Sequence, residues 1–294
     1  MEPVVKTILL ATDGSPDSLL ATRAAADLAV LTSATLHVIH VWSQLTPVTV
    51  YPYPAVTEDF IKLYEDQEQA VLAEAVERIA AMGGPPAVPH LQMGRPVDEI
   101  LALGRELGAD LIVAGSHGRG AFGRVVIGSV AEGLTHDADV PVLVVRGGEQ
   151  SWPPQRVVVG DDGSDEALAA AAFAFRLGRL FDASCLLVHV IPDAPISWRR
   201  DVGDFQELLR RTEKVAAERA HELGQRSETQ PEPVVRVGDP ATELAAIADE
   251  GAATLVAVGK RGLGRIERLR LGSVSTKVLR AVAVPVLIGP NQAG

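Results

Sequence analysis

The residues best suited to bind a ligand are the glycines and serines of two glycine-rich segments. One runs from Gly115 to Ser129, the other from Gly259 to Ser273, and both read G-x2-G-x9-G-S. Glycine lets a backbone approach a bound group closely, and a helix start offers unpaired amides to a phosphate. The pattern predicts two phosphate loops, formed by Gly115, Gly118, Gly128 and Ser129, and by Gly259, Gly262, Gly272 and Ser273.

The first glycine-rich segment also fits other interpretations: a helix cap that binds no ligand, or another class of nucleotide-binding motif. Ser129 and Glu132 have the spacing of a capping box, in which side chains satisfy the helix start. Residues 118–123 spell G-x-G-x-x-G, but they follow the expected fourth strand and the last glycine becomes Glu267 in the second segment. A dinucleotide fingerprint is therefore disfavoured. The sequence contains no G-x-x-x-x-G-K-[ST] segment, which disfavours a P-loop ATPase.

Two aspartates follow apolar runs that are expected to be strands. Asp13 and Asp162 are each followed by Gly-Ser. Asp and Ser both suit the N-cap of a following helix. The carboxylates are equally suited to accept a hydrogen bond from a base's exocyclic amine, or to bind a metal ion that accompanies the ligand. The residue types leave these roles open.

An internal repeat defines the elements that position these residues. The order of apolar runs, glycines and aspartates occurs twice, which predicts tandem domains at 1–147 and 154–294. Alternating strand and helix patterns predict an α/β fold: two doubly wound domains, each a five-stranded, mostly parallel sheet with helices on both faces. Strands are expected at 4–11, 35–42, 88–93, 110–115 and 141–145, and at 156–161, 184–190, 233–237, 253–258 and 285–289. Helices are expected at 16–32, 58–82, 96–107 and 129–138.

Composition excludes several classes of protein. A net charge of −11 disfavours nucleic acid as a partner. Cys185 is the one cysteine and lies in an apolar run, which indicates a buried small side chain and a reducing compartment. Neither a secretory signal nor an apolar run long enough to span a membrane is evident, so a cytoplasmic protein without membrane contact is expected.

These motifs together resemble the ATP-binding branch of the universal stress protein family, once in each half of the chain. The resemblance implies an adenine nucleotide alpha hydrolase-like fold. It also implies that the protein binds an adenine nucleotide, ATP, together with Mg²⁺ or Mn²⁺. It implies adenine contacts from Asp13 with Val41 and from Asp162 with Val190. The residues preceding each aspartate are also implicated in the pocket: Ala11 and Thr12, then Gly160 and Asp161.

The resemblance further implies that the two fifth strands pair. Residues 141–145 and 285–288 would then join the halves of one chain as an intramolecular pseudo-dimer and cover two sheet edges. A further homodimer remains open.

The two copies differ at positions that affect the chemistry. Ser116-His117 becomes Lys260-Arg261, a basic pair expected to strengthen phosphate binding, and Thr12 becomes Asp161, expected to add repulsion or a metal ligand. Arg124 and Arg268 either reach a terminal phosphate or remain solvated.

Three functions are consistent with the sequence. The first is a nucleotide-dependent stress-response module that binds ATP. The second is a slow Mg-dependent ATPase, for which His117 and Arg124 are candidates although no committed general base stands beside the motif. The third is a scaffold that binds no nucleotide in one or both halves.

Overall fold

The computed structural model describes residues 4–43, 58–117, 127–148, 151–192, 202–250, 254–262 and 271–290. The first domain consists of β1 (Thr7–Ala11), α1 (Pro16–Thr32), β2 (Thr35–Trp42), α2 (Glu58–Ala81), β3 (Ala87–Met93), α3 (Pro96–Leu107), β4 (Leu111–Gly115), α4 (Ser129–Asp137) and β5 (Val142–Val145). The second consists of β6 (Arg156–Gly160), α5 (Asp165–Arg179), β7 (Ser184–Ile191), α6 (Val202–Ser227), β8 (Glu232–Val237), α7 (Pro240–Glu250), β9 (Leu255–Val258), α8 (Ser273–Ala281) and β10 (Val286–Ile288).

All ten strands form one sheet, in the order β3-β2-β1-β4-β5-β10-β9-β6-β7-β8. Strands within each domain are parallel, so each crossover carries a helix. One apolar core lies between the sheet and α1, α2, α5 and α6, and a second lies under α3, α4, α7 and α8. The predicted α/β, doubly wound architecture is confirmed.

The first strand is shorter than the pattern predicted, and a side chain explains where it begins. Val5 is buried in the core, yet it precedes the strand. The backbone amides of Lys6 and Thr7 donate to Asp110 Oδ2, at 2.7 and 2.9 Å. These bonds occupy amides at the strand start.

Cys185 is buried, as predicted, and burial raises the pKa of its thiol to about 11.

The two domains join through their fifth strands. β10 runs antiparallel to β5, with Val286 opposite Val144 and Leu287 opposite Leu143. This is the strand pairing that the resemblance implied. The outer strands β3 and β8 carry Pro89 and Pro233, which cannot donate to a further strand.

Each domain also contributes a buried cation to the last helix of the other. Arg146 follows β5 and donates from Nη1 to the Val282 carbonyl at 2.7 Å and from Nη2 to the Leu279 carbonyl at 2.6 Å. Lys260 follows β9 and donates from Nζ to the Ala138 carbonyl. These carbonyls end α8 and α4, where a positive charge is favourable. Burial lowers the pKa of Arg146, because the charged guanidinium loses its hydration. The hydrogen bonds to the Val282 and Leu279 carbonyls offset that loss.

We expect Arg146→Met to destabilise the protein by about 2 kcal/mol, because two buried carbonyls lose their donor. The measurement is urea unfolding followed by the fluorescence of Trp152, which is buried and donates from Nε1 to Asp27 Oδ2 at 2.9 Å. Arg95→Met is the control, because the Arg95 side chain is 89% exposed and its ion pair with Asp98 contributes little. Equal stability of the two variants would contradict this role for Arg146.

Candidate nucleotide site

Each domain has a cleft at the carboxyl ends of its strands, bordered by the start of its last helix. The first cleft has a volume of about 530 Å³ and the second about 400 Å³, which lies in the range of small-molecule sites. The first brings together Ala11, Thr12, Asp13, Val41, Gly115, Gly128 and Ser129. The second brings together Gly160, Asp161, Asp162, Val190, Gly259, Gly262, Gly272 and Ser273. Gly118, Arg124 and Arg268 lie outside the described residues.

The last helix of each domain begins without a side-chain cap. Gly128 and Gly272 are the N-caps of α4 and α8, and among the described residues no side chain accepts from the amides of either helix start. The capping-box interpretation of Ser129 and Glu132 is therefore wrong. Glu132 instead pairs with Arg280 of the other domain, at 2.6 Å from Oε1 to Nη2. The first amides of each helix have no acceptor within it and border the cleft.

The glycine at the end of β4, Gly115, and the glycine directly after β9, Gly259, have a packing role. A Cβ at Gly115 would lie 2.8 Å from the backbone nitrogen of Ser18, and one at Gly259 would lie 3.0 Å from that of Ala167. Only glycine lets the first turn of α1 or α5 pack this closely. The amides of Gly128 and Gly272 then donate to the carbonyls of the residues after these glycines, both at 2.8 Å. The two helix starts therefore converge at the strand end.

The aspartates of the first turn do not cap the helices. Ser15 and Ser164 are the N-caps and accept from Ser18 and Ala167 amides. Asp13 Oδ1 accepts from the Ser15 amide at 3.0 Å, and Asp162 Oδ1 accepts from the Ser164 amide at 3.0 Å. The capping interpretation of the aspartates is wrong: they order the turn, and both carboxylates line the clefts.

A cluster beside the first cleft includes one residue that the sequence did not identify, Asp17 in the first turn of α1. Asp17 Oδ2 lies 2.6 Å from Ser116 Oγ and 2.9 Å from His117 Nδ1, and Ser116 Oγ lies 2.7 Å from the same nitrogen. Asp17 reaches His117 because the first turn of α1 packs directly on Gly115, where a side chain would clash.

Comparison with known proteins identifies the family. The pattern of the universal stress protein family matches residues 5–146 and again 154–290. The chain belongs to the universal stress protein family. Universal stress proteins of Mycobacterium bovis and Mycobacterium tuberculosis are 31% identical over 289 residues, covering 96% of this chain and 96% of each relative. A universal stress protein structure from Archaeoglobus fulgidus has the same fold, with a TM-score of 0.69 and 24% identity over 97% of this chain and 98% of that one.

In this universal stress protein, Lys260 does not line the second cleft. Its side chain is buried against the first domain, as described above, so the expectation that it strengthens phosphate binding is wrong. Its neighbour Arg261 does line the cleft. The interdomain carbonyl of Ala138 is a partner that no local pattern at Lys260 indicates.

The charge of Asp161 is also compensated by a residue that the sequence did not identify. Arg219 of α6 donates from Nε and Nη2 to the two carboxylate oxygens of Asp161, at 2.6 and 2.8 Å. This hydrogen bond raises the pKa of Arg219. The expected repulsion between Asp161 and Asp162 is therefore offset, and a bidentate arginine occupies the carboxylate that was considered as a metal ligand.

We expect Arg219→Met to destabilise the protein by about 3 kcal/mol, since it leaves the buried Asp161 carboxylate without its cation. The double variant Asp161→Thr/Arg219→Met, which installs the threonine of the first domain, should recover most of that loss. Urea unfolding of the two single variants and the double variant measures the coupling. Additive losses would show that the pair contributes no coupling energy.

Among the helices of the described ranges, none combines the length and the apolar character needed to cross a bilayer.

Proposed function

We propose that this universal stress protein binds ATP, with one phosphate-binding cleft in each domain. The observation that carries the proposal is the uncapped glycine start of α4 and of α8, which opens into a cleft of nucleotide size in both halves. Backbone amides and the positive end of the helix dipole bind phosphate without any basic side chain. This accounts for anion binding by a chain whose net charge is −11.

The opposite wall of each cleft suits an adenine ring. Val41 and Ile39 of β2 line the first cleft beside Asp13, and Val190 with Val188 of β7 lines the second. A flat apolar base packs on such side chains, and a neighbouring carboxylate accepts a hydrogen bond from its exocyclic amine. The base then contacts the strand residues, and the phosphates bind at the helix start.

The metal ion in this proposal arrives with the nucleotide. Within the described ranges, no group of three His, Cys, Asp or Glu side chains is arranged to hold a metal. Mg²⁺ or Mn²⁺ needs few protein ligands when phosphate oxygens and water supply the others. Asp13 and Asp162 contact the base in this proposal, so phosphate oxygens and water supply the ligands of the ion. The ion would neutralise part of the phosphate charge.

The two halves act, in this proposal, as an intramolecular pseudo-dimer whose nucleotide state controls its partners in a stress response. Support comes from the contacts between the helices that begin at the two clefts. α4 of one domain and α8 of the other are joined by the Glu132–Arg280 ion pair, and Arg146 and Lys260 bind their ends.

Isothermal titration calorimetry with ATP and Mg²⁺ should show micromolar binding, about 8 kcal/mol at each cleft. Ser129→Asp should weaken the first site about tenfold or more, because its carboxylate repels the phosphates at the helix start. Ser273→Asp should do the same to the second. A carboxylate in the first turn stabilises a helix, so loss of folding does not explain the effect.

Ser129→Asn and Ser273→Asn are the matched controls, since they have nearly the same size without the charge. Both should keep most of the affinity. Undiminished ATP binding by the double variant Ser129→Asp/Ser273→Asp would place the phosphates elsewhere. If calorimetry detected no binding at millimolar ATP, only the scaffold function would remain.

A further inference from the structure

We propose that the first cleft hydrolyses ATP, with His117 as the general base and Asp17 as the residue that positions it, whereas the second cleft binds without hydrolysis. This inference rests on the proposed binding of ATP. In this proposal the first cleft hydrolyses the nucleotide, and the second only binds it.

His117 is fixed by contacts on both its backbone and its ring. Ser15 Oγ donates to the His117 carbonyl at 3.0 Å. Asp17 Oδ2 and Ser116 Oγ lie within 2.9 and 2.7 Å of Nδ1, and Ser116 Oγ donates to the same carboxylate oxygen at 2.6 Å. A carboxylate only accepts hydrogen bonds, so these partners assign the proton of the neutral ring to Nδ1. The Nε2 atom is left as a proton acceptor.

The acceptor nitrogen belongs to a ring beside the first cleft and has unused hydrogen-bonding capacity among the described residues. His117 lines the first cleft, and Nε2 is buried without a hydrogen-bond partner among the described residues. A purely structural histidine would be expected to satisfy both ring nitrogens. The Ser116 carbonyl accepts from the Gly128 amide at 2.8 Å, which brings His117 beside the start of α4. A terminal phosphate at those amides would lie next to the ring.

The proposed step is attack of water on the γ-phosphorus. The water oxygen forms the new bond to phosphorus, and the bond from phosphorus to the β–γ bridging oxygen breaks, so that oxygen leaves on ADP. One water proton moves to His117 Nε2, and Asp17 stabilises the resulting imidazolium. The ring then returns the proton to the released products or to solvent. The α4 amides stabilise the charge on the transferring group.

The second cleft retains the backbone of the site but has no histidine at the position of His117, and the histidine that does line it, His189 of β7, has no counterpart of Asp17 assigned to it among the described residues. Glu166, Lys260 and Arg261 stand where the first domain has Asp17, Ser116 and His117. Lys260 is directed to the other domain, and Arg261 is always charged and accepts no proton. Phosphates can bind there, but no side chain at the position of His117 activates water.

Single-turnover hydrolysis of γ-labelled ATP with Mg²⁺ tests the assignment. His117→Ala should lower the rate about 100-fold or more while the calorimetric affinity stays within a few fold. Added imidazole should restore part of the rate of His117→Ala, which a structural role would not predict. Asp17→Asn should lower the rate constant with little change in ATP affinity. His221→Ala, an exposed histidine of α6, should leave the rate unchanged.

Binding and chemistry fail separately in this design. ATP binding without measurable hydrolysis by the wild-type protein would overturn this inference and leave the proposed function standing. The absence of binding would overturn both. Hydrolysis that survives in Ser129→Asp and is lost in Ser273→Asp would place the reaction in the second cleft, and an unaltered rate in His117→Ala would remove His117 as the base.

Discussion

The first-turn amides of α4 and α8 have no acceptor within their helices, because each helix begins at a glycine and no described side chain caps it. Both helix starts are held at the strand ends by the hydrogen bonds from Gly128 and Gly272. The amides of an uncapped helix start need a partner, and opening the helix start into a cleft lets water or an anion accept from them. The geometry of the proposed anion site therefore depends on the backbone, and the parallel sheet fixes where each helix begins.

The same two helices carry the contacts between the domains. Antiparallel pairing of β5 with β10 places α4 beside α8, so the carboxyl end of each comes within reach of the other domain. Arg146 and Lys260 are not equivalent positions in the repeat, yet each binds the end of the partner's last helix. The requirement is thus a positive charge at a helix end, and the two domains meet it from different strands.

Sequence patterns were sufficient to predict the features that depend on residues close together in the chain. The repeat, the strand and helix order and the glycine spacing all follow from short-range periodicity, and the bounds of α1 and α3 agree with their helical patterns. Partners remote along the chain could not be predicted this way. Asp161 and Arg219 are 58 residues apart, and Asp17 and His117 are 100 residues apart. Such pairs depend on how helices pack on the sheet, and polar side chains at those positions have many possible partners in the sequence alone.

The proposed anion site, which depends on backbone amides, also explains how the two copies could diverge. Replacement of Ser116 and His117 by Lys260 and Arg261 leaves the helix start and its carbonyl contact intact, at 2.8 Å in both domains, so the amides proposed to bind phosphate are unchanged. The side chains after the fourth strand are then available for other tasks. In the first domain they form a carboxylate-held imidazole at the cleft, and in the second one of them crosses to the neighbouring domain. A site built from side-chain charges would have lost its ligand with the first such substitution.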